Sequence, residues 1–83
     1  MPEYKYTYFQ FKGDPEIDIV TDFGINFSDI KQITIEETPQ RVIRESIYPN
    51  GFAVKIEQTN DSVVFYTNKE LIQGNDGSYH PKL

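Results

Sequence analysis

Few side chains in this sequence have the type and spacing to do chemistry. Tyr8 is the one catalytic candidate, because a tyrosine hydroxyl can hydrogen-bond and stabilise a thiolate. The same ring in an aromatic strand can equally fill core, as its neighbours do. The acids form the second candidate. Between Gly13 and Ile30 stand Asp14, Glu16, Asp18, Asp22 and Asp29, with no lysine or arginine among them. Such a run either solvates a face or steers a basic partner. His80 is the only histidine, and with no cysteine beside it neither a metal site nor a triad can be completed. Glu36 and Glu37 adjoin, but a catalytic carboxylate pair needs one member desolvated, and their neighbours do not supply that. Arg41 and Arg44 are the only close pair of bases, too few for a nucleic-acid surface. Asn26-Phe27-Ser28 and Asn60-Asp61-Ser62 match the glycosylation sequon, which matters only in a secreted chain. No glycine-rich phosphate loop, GxSxG elbow or HExxH pair occurs.

Length and charge narrow the function classes. Eighty-three residues make one domain, which hides only about 60–65% of the surface of its unfolded chain. Stability should be modest, and a homodimer interface or a partner would add to it. Thirteen acids against eight bases give a net charge of −5, which disfavours direct binding to nucleic acid. Without cysteine there is no disulfide framework, thiolate zinc site or redox dithiol. No apolar run approaches the roughly 20 residues that span a bilayer. The N-terminus lacks the pattern of a signal peptide, so the expected compartment is the cytoplasm. Six tyrosines, six phenylalanines and ten isoleucines are too many for a disordered chain.

The elements that must position these residues follow from periodicity. Tyr4 to Phe11 carries aromatic and β-branched residues on both faces, which describes a strand covered on both sides and central in its sheet. The segment from Pro15 to Phe23 reads as a helix. Asp14 stands at its N-cap, Pro15 at its first position and Gly24 at its C′ position. Ile17, Ile19, Val20 and Phe23 then share one arc, with Asp14, Asp18 and Asp22 at i, i+4 and i+8 opposite. Read as a strand instead, Ile17 to Phe27 would pair with Tyr4 to Phe11 in an all-β barrel or meander. Asp29 to Glu36 has strand spacing. Thr38-Pro39 opens a second helix over Gln40 to Ile47. Tyr48-Pro49-Asn50-Gly51 is a turn by composition. Phe52 to Glu57 and Val63 to Thr67 form a hairpin across Thr59-Asn60-Asp61. Asn68 caps a short third helix through Ile72. The predicted domain covers 1–73, and 74–83 reads as a flexible tail. The expected architecture is α/β, one mixed sheet with helices packed on it in the order βαβαββα.

This element order resembles the thioredoxin-like fold, and the opening residues resemble one branch of it. Met1, Pro2, Tyr4, Thr7, Tyr8, Phe9, Gly13 and Glu16 fit the start of sigma-like glutathione transferases. Phe27-Ser28-Asp29 looks like the approach to that family's second strand, and Tyr48-Pro49-Asn50-Gly51 lies just before its third. The resemblance implies that Tyr8 is a thiolate-stabilising tyrosine and that glutathione is the ligand. Ala53 stands where the family has a cis-proline, and Thr67 and Asn68 where it has a Gln-Ser pair. The helical second domain of the family is missing.

Two functions are therefore expected from different classes. The preferred one is a small, non-catalytic interaction module that presents Asp14, Asp18, Asp22 and Asp29 to a basic protein partner, with no cofactor. The alternative is a glutathione transferase-like domain that still binds glutathione or a related thiol through Tyr8.

Overall fold

A computed structural model describes residues 3–15 and 17–82. Seven strands and one short 3-10 turn organise them. They are β1 (Tyr6–Phe11), β2 (Lys31–Glu37), β3 (Arg41–Ile47), β4 (Ala53–Thr59), β5 (Ser62–Thr67), β6 (Leu71–Gln73) and β7 (Tyr79–Pro81), with the turn at Phe27–Asp29. The five longest strands form one antiparallel sheet in the order β1-β5-β4-β3-β2. The α/β, thioredoxin-like expectation is thereby overturned. There is no parallel βαβ unit, and none of the three predicted helices forms among the described residues. The pairing of Ile17–Phe27 with Tyr4–Phe11 is not made either, because β1 pairs with β5.

Each predicted helix fails for a local reason. Asp14 turns backward: its carboxylate accepts the Phe11 N–H at 3.1 Å and its own N–H donates to the Phe11 carbonyl at 2.9 Å. It closes the end of β1 instead of capping a helix. The residues after it are Ile, Val, Thr and Asp, weak helix formers with nothing left to nucleate them. They also belong to a connection that must cross from one sheet edge to the other, about 19 Å over four strand spacings. Thr38 likewise closes a hairpin. Its hydroxyl accepts the Arg41 N–H at 3.0 Å and its N–H reaches the Arg41 carbonyl at 2.8 Å. The β-branched Val42, Ile43 and Ile47 then extend as β3. Asn68 spends its amide on the β4 end, accepting from Ala53 N–H at 2.8 Å and donating to the Gly51 carbonyl at 2.7 Å. The chain beyond it pairs as β6.

The meander from β2 to β5 rests on short turns whose residues suit them. Gly51 has φ +95°, a left-handed conformation that glycine adopts without penalty, and its N–H closes the turn on the Tyr48 carbonyl. Asn50 Oδ1 accepts the Phe52 N–H in the same turn. In β2 the register shifts between Thr34 and Glu36, so Ile35 bulges outward and is exposed.

The core lies on one face of the sheet. Phe52, Val54 and Leu71 are buried, and Tyr8, Ile19, Phe23, Tyr48, Ile56 and Tyr79 pack against them. Phe23, Tyr48 and Phe52 form a triangle of rings with centroids 5.4–5.9 Å apart. Ile19 and Phe23 reach this core from the connecting segment, which is stitched to the hairpin by Val20 N–H to Tyr79 O and Tyr79 N–H to Asp18 O, both 2.8 Å. Within the stretch expected as a tail, Tyr79–Pro81 pairs antiparallel with β6. Tyr79 supplies the apolar ring that no periodic pattern in the segment announced. β1 is also corrected: it is an edge strand, not a central one.

Candidate functional site

The acidic segment is strung along the surface rather than gathered on a helical face. Ile19 and Phe23 point inward, while Asp14, Asp18, Asp22 and Asp29 are all exposed. Asp14 is committed to the Phe11 amide. Asp22 faces the Gly24 N–H at 3.4 Å, too long to hold it firmly. Asp18 gains a companion that spacing did not foretell. Asp76 joins it in lining one open depression, together with Pro15, Gln73 and Ser78. The Ser78 N–H, 3.0 Å from Asp76 Oδ1, holds that carboxyl below its usual range, so it stays charged. The i, i+4, i+8 relation expected of Asp14, Asp18 and Asp22 is not realised, because no helix carries it.

Tyr8 serves the fold. Its ring packs in the core beside Tyr79, with centroids 6.2 Å apart, and its hydroxyl accepts the Leu71 N–H at 3.0 Å. Leu71 is buried, so that amide would otherwise be unsatisfied. A thiolate-stabilising tyrosine donates its O–H to the ligand, whereas the bond seen here uses the Tyr8 oxygen as acceptor for the amide that starts β6.

On the opposite face of the sheet stands a polar cluster that sequence reasoning missed. Glu45 is only 6% exposed, and the Tyr4 hydroxyl donates to its carboxylate. Lys55 lies directly across the β3–β4 ladder from Glu45. Its ammonium sits 5.3 Å from the Tyr4 ring centroid and 4.8 Å from that of Tyr66, within cation–π range of both. Burial, and then the neighbouring carboxylate, push the Tyr4 phenol above its ordinary range. A phenol that holds its proton so firmly is no acid or base at neutral pH. The cluster is a latch that ties the N-terminal segment across the sheet. Its signal was the Glu45–Lys55 register, which exists only once β3 is a strand.

The remaining charged groups are peripheral. Glu36 and Arg41 form an exposed ion pair beside the β2–β3 turn, which lowers the carboxyl and raises the guanidinium. Glu37 is exposed beside it, and His80 is exposed in β7. Among the described residues no three metal-ligating side chains gather, and no helix is long and apolar enough to cross a membrane. The chain matches no protein-family model, no curated protein and no solved structure.

Proposed function

We propose that this protein is a non-catalytic interaction module that docks a basic protein partner on its acidic connecting segment. The observation that carries the reading is the division of labour within that segment. Ile19 and Phe23 anchor it to the core, so its carboxylates are held outward at fixed places. Asp18, Asp22 and Asp29 are exposed, Asp14 begins the same strip, and Asp76 from the β6–β7 hairpin extends it beside Asp18. Such a surface raises the rate of encounter with a positive partner. Direct binding to nucleic acid would work against the same field. The cytoplasm is the compartment we propose, since a cysteine-free fold draws no stability from an oxidising one.

Reversing Asp18 and Asp22 to Lys tests this reading. Both are exposed, so folding should change by no more than about 0.5 kcal/mol. Partners retained by the immobilised protein from host lysate should be basic, and their association should slow as salt rises and the Debye length falls from about 10 Å at 0.1 M to about 3 Å at 1 M. Association should also slow in the doubly reversed variant. A retained partner that binds that variant equally fast, without salt dependence, would reduce the acidic strip to solvation.

A further inference from the structure

The two edges of the main sheet are protected very differently. β2 carries Lys31, Glu36 and Glu37 and is broken by the bulge at Ile35, features that discourage strand addition. β1 reads Tyr-Thr-Tyr-Phe-Gln-Phe, with no charge and no bulge within its ladder. Phe9 and Phe11 stack with centroids 6.3 Å apart on its outer reaches, yet are 61% and 58% exposed. The ladder phase is fixed by Lys12 N–H to Asp61 O at 2.8 Å. In an antiparallel ladder this turns the backbone groups of Tyr6, Tyr8 and Gln10 toward β5. Those of Thr7, Phe9 and Phe11 face out. Asp14 occupies both groups of Phe11. No described residue bonds to the outward N–H and C=O of Thr7 and Phe9.

We propose that β1 pairs antiparallel with β1 of a second copy of this chain, joining two five-stranded sheets into one of ten. A two-fold register centred on Tyr8 sets Thr7 of each copy opposite Phe9 of the other. That register satisfies all four outward groups of each copy and leaves the Asp14 turn untouched. Centring on Phe9 instead would set Thr7 against Phe11, whose groups are already taken. The paired stretch is bounded at both ends, by Phe11, which Asp14 occupies, and by Lys5, whose N–H donates inward to the Thr67 carbonyl already opposite Tyr6. Within those bounds the edge is uncharged and self-complementary, each copy offering the two N–H and two C=O groups that the other needs. Side chains of like face stay together across the join, so the Phe9–Phe11 stacks of both copies meet on one surface.

Sedimentation equilibrium on the full chain tests the pairing. The expected mass is twice 9.7 kDa, falling to 9.7 kDa on dilution. Thr7→Pro removes an N–H that makes no bond within the monomer, a substitution that an edge strand tolerates. It should raise the dissociation constant more than about tenfold. Phe9→Lys, which places a charge at the centre of the join, should do the same and stands in if the proline variant unfolds. The register is read separately, in a chain that has no cysteine of its own. Thr7→Cys mixed with Phe9→Cys should oxidise chiefly to the mixed disulfide, since residues directly opposite lie about 5.5 Å apart at Cα. A monomer at all concentrations would overturn the proposal. So would a dimer indifferent to Thr7→Pro and Phe9→Lys, or homodisulfides as abundant as the mixed species.

Discussion

Tyr4→Phe removes one oxygen and leaves a carboxylate buried without the donor that the fold provides. Glu45 is 6% exposed and accepts from the Tyr4 hydroxyl. Hydrogen bonds to charged groups contribute about 1.5–3 kcal/mol, and the loss of one falls in that range when its partner stays buried. Such a domain is stable by only about 4–12 kcal/mol, at 0.05–0.15 kcal/mol per residue, so the change is a large share. At roughly 4–8 °C per kcal/mol, a loss of about 2 kcal/mol should lower Tm by about 8–16 °C. Urea unfolding followed by circular dichroism at pH 7 measures the free energy directly. A double-mutant cycle with Glu45→Gln isolates the pairwise part. The pH dependence provides an independent reading. The Tyr4 phenol is raised above its ordinary value of 10.0, so the native state keeps that proton when the unfolded chain has released it. Its contribution is complete below pH 10 and is lost as pH rises toward the folded-state value. The wild type should therefore lose up to about 1.4 kcal/mol per pH unit more than Tyr4→Phe above pH 10. A cost below about 0.5 kcal/mol, with parallel alkaline decline in both proteins, would refute the latch.

Two further substitutions probe the joints between sequence and fold. Tyr8→Phe keeps the core ring but strips the Leu71 amide of its acceptor, and should cost about 1–3 kcal/mol in denaturant unfolding; an unchanged midpoint would show the hydroxyl to be idle. Asn68→Ala breaks both bonds to the Gly51–Ala53 backbone and should cost about 1–3 kcal/mol. Amide exchange at Ala53 should quicken in that variant, and unchanged protection there would count against the bridge.

The sequence by itself determined a good deal of the meander. The turn at Tyr48-Pro49-Asn50-Gly51, the strand that holds Ile33, and the hairpin across Asn60-Asp61 were legible, because turn chemistry and two-residue alternation act within a few residues, whereas the bulge that turns Ile35 outward was not. The outward placement of Asp14, Asp18, Asp22 and Asp29 was legible too, since isolated carboxylates seldom enter a core. Three capping signals misled for a common reason. Asp14, Thr38 and Asn68 have side chains that can bond either forward, to a nascent helix, or back, to a strand already formed. Which way they turn depends on partners distant in sequence: Asp14 closes the end of a strand paired with β5, and Asn68 bridges to Gly51 and Ala53. The sheet order was equally hidden. Aromatic faces on both sides of Tyr6–Phe11 suggested a central strand, and only the pairing with β5 placed it at an edge with Phe9 and Phe11 bare. Glu45, Lys55, Tyr4 and Tyr66 have no local relation at all. Their association follows from the register of three strand pairs, a non-local outcome of burying Phe52, Val54 and Leu71 on the other face.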